Sequence, residues 1–310
     1  MELHIIRKEE GTKGVRPEER PIERALHYGI IVLNKPAGPT SHQVSDFVQK
    51  ILGLEKAGHS GTLDPNVTGV QPIALGDATK ITTLTLKSDK EYVGVMHLHK
   101  EVTKEKLIEA LKKFTGKIIQ LPPIKSAVKR QERPRTVHEI ELLEIEKNDA
   151  LIRVKCEAGT YIRKLFHDIG KHLGTGAHMA QLVRTKAAGF TDKEMCTLQD
   201  IADAYHEWKE NKNEQPLREI IRPVEYFVRN IPTIQISDGA IQSMTNGSTL
   251  KKPGITAYHD FKKGDTITIT TQKGELISIA KALVNSKEVE TMEKGIVAQS
   301  ERVYYKKEWM

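Results

Sequence analysis

The alternation of apolar and polar positions predicts a first strand and helix between Tyr28 and Leu52. Residues Tyr28–Lys35 form a continuous apolar run of the kind that buried strands show, and Pro36 ends it. In the next segment, 41–52, the apolar residues fall on one helical face, and Thr40 or Ser41 can serve as the N-cap. The chain therefore begins its ordered part with a buried strand followed by an amphipathic helix.

The same criteria predict an alternation of strands and helices as far as residue 173. The predicted strands are 71–75, 91–99, 137–145 and 150–156, and the last two are close enough to form a hairpin. The predicted helices are 78–86, a segment capped by Thr103 and closed by Gly116, and 159–173. This mixture indicates an α+β protein with a mixed or antiparallel sheet.

The pattern changes near the C-terminus and is different again at the N-terminus. A polar segment, Lys209–Gln215, is predicted to be a hinge, and the residues beyond it contain short β-rich pieces and one helix near 239–244. The predicted strands are 233–236, 265–271, 275–283 and 295–303. Residues 1–24 contain six acidic and six basic side chains and are predicted to be an extended arm.

Composition limits the classes of protein that the chain can belong to. It has 310 residues, a net charge of +7 and a pI of about 9.1, which favour a polyanionic partner without specifying its sequence. Its two cysteines, Cys156 and Cys196, lack CxxC spacing, so we expect reduced core residues rather than a zinc site. No apolar run approaches a membrane span, and the N-terminus is too charged for a signal peptide.

One short stretch, residues 57–70 (AGHSGTLDPNVTGV), has no hydrophobic period and is punctuated by glycine and proline. It contains one imidazole, His59, and one carboxylate, Asp64. An aspartate before proline is common in turns, where it caps the following backbone. From the residues alone, Asp64 is therefore either such a cap or a functional carboxylate held by loop geometry.

A second stretch, residues 121–135, has the highest positive charge density in the chain. It contains one acid, three prolines and no aromatic residue. Its five basic residues are Lys125, Lys129, Arg130, Arg133 and Arg135. It is either a solvated loop or an arm that binds the phosphates of a nucleic acid.

These segments together resemble the TruB family of pseudouridine synthases, and in particular its archaeal, dyskerin-like branch. HSGTLDPNVTGV is similar to the family's signature loop, with Val67 where alanine is usual, and LNKPAGPTSHQV and AGTYIRKL resemble two further motifs. The segments SDGAIQSMTNGS and KKGD resemble parts of a PUA domain. The resemblance implies an N-terminal arm (1–24) that packs near the C-terminal domain, a pseudouridine synthase domain (25–228) and an RNA-binding PUA pseudo-barrel (229–310).

By this resemblance Asp64 is the catalytic carboxylate, Arg163 pairs with it, and Tyr92 is the active-site tyrosine. An arginine partner would keep the carboxylate ionised in a cleft that excludes water. His59 would help to hold the uridine out of the RNA stack, since chemistry on a base requires its extrusion. Six further residues are expected to contact RNA: Lys35, Lys125, Lys129, Arg130, Arg184 and Lys186. For Lys35, solvation of the strand end is an equal alternative.

The resemblance also implies a reaction and partners. The expected reaction is RNA-guided isomerisation of uridine to pseudouridine, which loses no atom, so no cofactor or metal is expected. The expected partners are substrate RNA, a box H/ACA guide RNA and three small proteins: a zinc-ribbon peptide, a β-barrel protein and a kink-turn binder. An archaeal source and a cytoplasmic location are expected. The alternatives are a stand-alone TruB-type enzyme acting on tRNA and a non-catalytic RNA-binding scaffold.

Overall fold

The computed structural model describes residues 2–122 and 130–309, which form strands, α-helices and short 3-10 turns. The strands are β1 Leu3–Ile5, β2 Gly29–Lys35, β3 Ala57–His59, β4 Thr68–Leu75, β5 Lys90–Leu98, β6 Gly116–Gln120, β7 Arg133–Glu146, β8 Asp149–Cys156, β9 Ala177–Ala187, β10 Phe190–Thr191, β11 Ile221–Pro223, β12 Thr233–Ile236, β13 Thr249–Lys251, β14 Ile255–His259, β15 Thr266–Thr271, β16 Leu276–Ala282 and β17 Ile296–Val303. The helices are α1 Ile22–His27, α2 Ser41–Ile51, α3 Thr82–Thr85, α4 Lys104–Lys113, α5 Ile162–Leu173, α6 Leu198–Asn211, α7 Gln215–Ile220, α8 Asp238–Thr245 and α9 Ser286–Thr291.

The chain folds into two compact units. The larger unit contains residues 30–75 and 81–220, and the smaller contains 1–29, 76–80 and 221–310. In the larger unit the sheet order is β2-β4-β9-β5-β8-β7-β6, with β3 beside β4 and β10 beside β9. All neighbours are antiparallel except β4 and β9, which run parallel where Thr68 and Gly69 meet Val183 and Arg184. This mixed sheet with helices confirms the predicted α+β class.

Helices α4 and α5 supply much of the core of the larger unit. Their apolar stripes, which include Leu107, Leu111, Leu165 and Phe166, share one cluster with buried side chains of β5 and β8. Spacing of three and four residues along a helix produces such a stripe, and the opposite face is left free for polar side chains. Leu63 and Val67 belong to the same cluster, so the loop around Asp64 is anchored in the core.

The smaller unit is built on a second sheet, with the order β1-β14-β12-β15-β16-β17-β13. The first strand belongs to the N-terminal arm, and Leu3 lies opposite His259 of β14. Further along the arm, the backbone N–H and the hydroxyl of Thr12 both donate to Asp238 at 2.7 Å. Residues 3–12 of the arm are therefore bound to residues of the β-rich C-terminal region, whereas Pro17–Glu19 form a 3-10 turn and α1 begins at Ile22.

Several predicted elements differ from the observed ones. Residues 78–86 were predicted to be one helix, but they form a 3-10 turn over 76–81 and the short α3. Threonine side chains bond to nearby backbone there: Thr79 donates to the carbonyl of Gly76, and Thr85 to that of Thr82, at 2.8 Å each. Such local bonds compete with a regular helix. Strands β6 and β9 had not been predicted from the sequence.

The polar segment Lys209–Gln215 is not a hinge between the units, and that prediction was wrong. Helix α6 continues to Asn211, Lys212 ends it in a left-handed conformation with φ 56°, and α7 follows at once. Both helices lie in the larger unit, which ends at Ile220. Residues 221–228 group with the smaller unit because Glu225 accepts from the N–H of Leu276 and pairs with Arg20. The domain limits inferred from the resemblance stay a prediction.

Candidate functional site

The loop that carries Asp64 is fixed on both sides of that residue. Before it, the Ser41 hydroxyl accepts from the N–H of Leu63 at 2.8 Å, and Leu63 is buried. After it, the N–H of Val67 donates to the carbonyl of Asp64 at 3.0 Å, and Val67 is buried as well. Two buried neighbours and a tight turn therefore hold the carboxylate at the surface of the core, where it projects outward.

Lys35 is a second anchor of this loop, which corrects the expectation of an RNA contact. Its side chain is fully buried, and its ammonium donates to the carbonyls of Pro36, Pro65 and Val67 at 2.9–3.0 Å. An ammonium has three donor hydrogens, and here all three are used inside the protein. Lys35 therefore neither binds a phosphate nor solvates the end of β2, the two alternatives weighed from the sequence.

Arg163 reaches Asp64 from the first turn of α5. Tyr161 is the N-cap, and its N–H donates to the side chain of Gln120 at 3.0 Å, which fixes where the helix begins. The apolar stripe of α5 points into the core, so Arg163 faces away from it. The guanidinium of Arg163 donates to a carboxylate oxygen of Asp64 in an ion pair that joins residues 99 positions apart in the sequence.

The Asp64–Arg163 ion pair is more exposed to solvent than the resemblance implied. The Asp64 side chain is 51% exposed and that of Arg163 is 49% exposed. The expectation of a cleft that excludes water is therefore not met in the free chain, because the loop and the helix end both lie at the open side of a cavity. An exposed ion pair contributes little to stability, so its geometry matters more here for orientation than for folding.

That cavity has a volume of about 430 Å³ and opens beside Asp64. The side chains around it include Asp64, Lys90, Tyr92, Arg163 and Arg184. The volume lies within the range of small-molecule pockets and can hold one extruded base. The structure therefore brings Asp64, Tyr92 and Arg163 to one cavity, although they come from a loop, a strand and a helix.

Tyr92 lies on β5, opposite Val154 of β8 and Arg184 of β9. Burial raises the pKa of its phenol, so the hydroxyl is kept protonated. The charge of Arg184, which lies opposite Tyr92 on β9, opposes that shift. Tyr92 is held on β5 between two paired strands, so its ring can form a wall of the cavity on which a base could stack.

Arg184 is buried rather than exposed to a bound RNA surface. It is 1% exposed, and its Nε donates to the carbonyl of Val70 at 2.8 Å while its NH2 donates to that of Gly61 at 3.3 Å. These bonds tie β9 to the loop that holds Asp64. Arg184 lines the cavity, so the expected contact with RNA stays a prediction and would be made there.

His59 lies on β3 and is not among the residues that line the cavity. Burial, followed by His42 and Arg184, lowers the pKa of its imidazole, so the ring is neutral near pH 7. Its Nδ1 is buried without a hydrogen-bond partner in the described residues. A role in holding the extruded base stays a prediction, and the structure gives it no direct contact with the cavity.

The remaining residues that were expected to contact RNA lie away from the cavity or outside the described residues. Arg130 is exposed, and Lys186 is half-exposed and pairs with Glu91 at 3.3 Å. Lys125 and Lys129 lie outside the described residues. Arg133 and Arg135 of the basic segment belong to β7, so this part of the segment is a strand rather than a loop.

Sequence reasoning missed Lys90, which lines the cavity and is 6% exposed. A signal was available: Lys90 is two residues before Tyr92, and side chains two apart on a strand face the same way. Among the described residues, no group of His, Cys, Asp or Glu is arranged to hold a metal ion. No helix in the described ranges is both long and apolar enough to cross a bilayer.

Four family models match the chain in succession. They are the DKCLD (NUC011) domain over residues 4–45, the TruB family pseudouridylate synthase N-terminal domain over 49–162, the tRNA pseudouridylate synthase B C-terminal domain over 163–229 and the PUA domain over 232–304.

Relatives of known name match over nearly the whole chain. A probable tRNA pseudouridine synthase B of Methanocaldococcus jannaschii is 47% identical over 97% of this chain and 90% of its own length. One of Pyrococcus furiosus is 48% identical over 96% of this chain and 88% of its own.

Solved structures match with equal coverage. A chain of the crystal structure of a Cbf5-Nop10-Gar1 complex has a TM-score of 0.92 and 46% identity, covering 99% of this chain and 95% of that one. A chain of an H/ACA RNP bound to a substrate RNA containing 2'-deoxyuridine also has a TM-score of 0.92, at 44% identity, over 99% of this chain and 96% of that one.

Proposed function

Because the chain belongs to the TruB family of pseudouridine synthases, we propose that it isomerises uridine to pseudouridine in RNA as the catalytic subunit of a box H/ACA ribonucleoprotein. The support for the guided branch is the DKCLD match at the N-terminus and the likeness to chains of H/ACA complexes. The substrates are uridines of rRNA or tRNA that a guide RNA selects, and the working location is the cytoplasm.

The single observation that carries the chemistry is the contact between Asp64 and Arg163 at the edge of the cavity. In the proposed reaction the carboxylate acts on the extruded uridine, and the guanidinium fixes its orientation and its charge. Tyr92 supplies a flat wall for the base, and its protonated hydroxyl lies in the same cavity. Direct attack on C1′, attack on uracil C6 and removal of the C2′ proton are all open to a carboxylate in this position.

The proposed partners follow from the same likeness. Solved relatives are chains of a Cbf5-Nop10-Gar1 complex, of a Nop10-Cbf5 complex and of an H/ACA RNP bound to a substrate RNA. We expect this chain to bind a guide RNA, substrate RNA and small proteins of those kinds, together with a kink-turn binder. The net charge of +7 favours association with RNA but does not select the site.

The test is the release of tritium from C5-labelled uridine in a target RNA, with Asp64→Asn as the variant. We expect Asp64→Asn to lower turnover by about 10²–10⁴-fold or more, because the amide cannot act as an acid, base or nucleophile. Asp168→Asn is the matched control, since Asp168 pairs with Lys164 on α5 and does not line the cavity. Wild-type turnover by Asp64→Asn would refute the assignment of this residue.

A second candidate function has its own support, since the curated relatives carry the name of a tRNA pseudouridine synthase. The same assay separates the two possibilities when it is run on tRNA and on a guide-matched RNA, with and without guide RNA and small proteins. Turnover that requires the guide supports the ribonucleoprotein. Equal turnover of tRNA by the isolated chain would support a stand-alone enzyme.

A further inference from the structure

Two buried cations lie at the wall of the cavity, and neither has a carboxylate partner. Lys90 is 6% exposed and Arg184 is 1% exposed, and both line the cavity. Among the ion pairs formed by residues 2–122 and 130–309, none contains Lys90 or Arg184; Asp89, which pairs with His138, acts on Lys90 only at longer range. Fully buried lysine and arginine side chains are rare in proteins unless they are paired with an acid.

Uncharged groups hold both side chains in place. The Lys90 ammonium donates to the carbonyl of Leu86 at 2.9 Å, to the carbonyl of Ser88 and, at 3.5 Å, to the Ser88 hydroxyl, so its three hydrogens have acceptors inside the protein and Lys90 can act on a ligand through its charge. Arg184 donates to the carbonyls of Val70 and Gly61. These bonds position the two cations but do not neutralise them.

The two cations converge on one place beside Gly61. A Cβ built on Gly61 would lie 3.6 Å from NH1 of Arg184 and 3.7 Å from Cε of Lys90. Gly61 has a φ of 84°, which is unfavourable for other residues, so this space is left without a side chain. The cavity wall beside Gly61 therefore carries two positive charges, and Gly61 contributes no side chain that would cover them.

The distribution of charge in the cavity depends on depth. Asp64 and Arg163 are half-exposed and neutralise each other, whereas Lys90 and Arg184 are almost fully buried. Burial, and then Arg184, lowers the pKa of Lys90 to about 8, and burial also lowers the pKa of Arg184. Uncompensated buried charge opposes folding, and such groups are typical of functional sites.

We propose that Lys90, supported by the charge of Arg184, stabilises the negative charge that develops on the uracil base while it is detached from the ribose. This role rests on the proposed function and adds a catalytic residue to it. When the C1′–N1 bond breaks heterolytically, its electron pair stays on the base and spreads from N1 to the carbonyl oxygens. C5 then bonds to C1′, the C5 proton leaves and N1 gains a proton, so no atom is lost.

The position of Lys90 favours the base over a phosphate as the bound anion. Lys90 and Tyr92 project from the same face of β5 and both line the cavity, so a base stacked on the Tyr92 ring lies beside the Lys90 side chain. A positive group aimed at developing charge in a buried site is worth much more than in water, because it needs no reorganisation during the reaction. If Lys90 bound an RNA phosphate instead, its contribution would be to binding, and the affinity of the protein for RNA would depend on Lys90.

The first test uses the wild-type protein in its complex with guide and substrate RNA. We expect the single-turnover rate constant to fall about tenfold per pH unit above about pH 8, because Lys90 loses its proton and its charge there. Asp64, Tyr92 and Arg184 line the same cavity, and Cys156 and Asp89 act on Lys90 as well. The pKa of Cys156 is raised to about 12 and that of Tyr92 is raised above its usual value, so neither titrates near pH 8.

The second test compares Lys90→Met, Lys90→Arg and the exposed control Lys112→Met. We expect Lys90→Met to lower the rate constant by about 10²-fold at pH 7 with little change in RNA affinity, and to abolish the fall above pH 8. Lys90→Arg keeps a cation at every pH used and is expected to recover part of the rate, also without that fall. Melting temperatures establish that each variant is folded.

Distinct results would overturn the inference. A wild-type rate that does not fall between pH 7 and 9, or a fall that persists in Lys90→Met, would assign no charge-dependent role to Lys90. Weaker RNA binding by Lys90→Met at an unchanged rate would indicate a phosphate contact instead. Each result leaves the proposed function standing if the wild type releases tritium and Asp64→Asn does not, so the two failures can be told apart.

Discussion

Identical residue types have opposite roles in this molecule, and the difference depends on what surrounds each side chain. Lys35 and Lys90 are both buried lysines bonded to backbone carbonyls. Lys35 uses its bonds to hold the loop of Asp64 and does not line the cavity, whereas Lys90 lines it. The Asp64–Arg163 pair likewise is a surface ion pair by exposure, and only its place beside the cavity makes it a candidate for catalysis.

At this scale we predict that Arg163→Ala lowers turnover by about 10²-fold with little change in RNA affinity, because the guanidinium orients the carboxylate rather than holding the RNA chain. Arg163→Lys keeps the charge but loses the planar fork, so it should recover only part of the rate. The measurements are single-turnover tritium release and the Kd for substrate RNA in the assembled complex.

Arg153→Ala is the matched control, because Arg153 pairs with Glu141 on the sheet and lies away from the cavity. It should leave turnover unchanged. A loss of RNA affinity in Arg163→Ala that equals the loss of rate would contradict the orienting role and would indicate a contact with the RNA backbone.

At the scale of elements, the parallel contact between β4 and β9 determines where the cavity lies. The two strands meet at Gly69 and Arg184. A Cβ on Gly69 would lie 2.3 Å from the carbonyl oxygen of Arg184, so only glycine allows this approach. The same contact carries Arg184 into the cavity wall, close to the loop of Asp64.

We therefore predict that Gly69→Ala lowers the free energy of unfolding of the larger unit by roughly 2–5 kcal/mol, since the left-handed backbone and the overlap with β9 both oppose the substitution. Gly38→Ala is the matched control: φ is 108° at Gly38 and 103° at Gly69, but nothing lies within 4 Å of a Cβ at Gly38. Gly38→Ala should lower the free energy of unfolding only by the cost of the left-handed backbone, about 1–2 kcal/mol.

The measurement is urea unfolding followed by Trp208 fluorescence in a Trp309→Phe background, because Trp208 lies on α6 of the larger unit. Equal destabilisation by the two alanine substitutions would show that β4 and β9 can move apart at Gly69 without loss of stability. The close approach of these strands would then have no importance for stability.

At the scale of the whole molecule, the N-terminal arm is part of the smaller unit because buried charges connect them. Arg20 is 1% exposed and donates to Glu225 at 2.5 and 2.9 Å and to Glu275 at 3.2 Å. Glu275 is fully buried and also accepts from Arg24 at 2.5 Å. The acidic partners raise the pKa of Arg20 against the opposing effect of burial, so the guanidinium stays charged.

We predict that Arg20→Ala destabilises the smaller unit by about 3–5 kcal/mol, because it leaves buried carboxylates without their partner. Arg16→Ala is the control, since Arg16 is 73% exposed and lies 4.0 Å from Glu19; its effect should be within about 0.5 kcal/mol. Trp309 reports on this unit in a Trp208→Phe background, because its ring packs against Tyr28 and Tyr305.

A change of less than about 1 kcal/mol for Arg20→Ala would mean that water replaces the guanidinium at the two carboxylates. The arm would then be held by its β1 pairing and by the bonds of Thr12 to Asp238 rather than by the ion pairs.

Local pattern predicted many of the strands and helices, but not β6, β9 or α6. The apolar run before Pro36, the helical stripes of α4 and α5 and the short strands 233–236, 266–271, 276–282 and 296–303 were all predicted close to their observed limits. These elements depend on interactions between near neighbours, and periodicity records those directly. The prediction failed at 78–86 and 209–215, where hydroxyl bonds and a left-handed cap decide the backbone.

The order of the motifs also gave the family and the three residues that meet at the cavity. It could not give their exposure, because burial depends on which elements pack above each residue. Asp64 was expected in a dry cleft and is half-exposed, while Lys35 was expected to hold a phosphate or solvate the end of β2 and is buried. The sequence by itself determined which chemical groups are available and which elements carry them. Only the tertiary structure decided that two buried cations share a cavity wall, because 94 positions separate Lys90 from Arg184 and only sheet pairing brings β5 and β9 together.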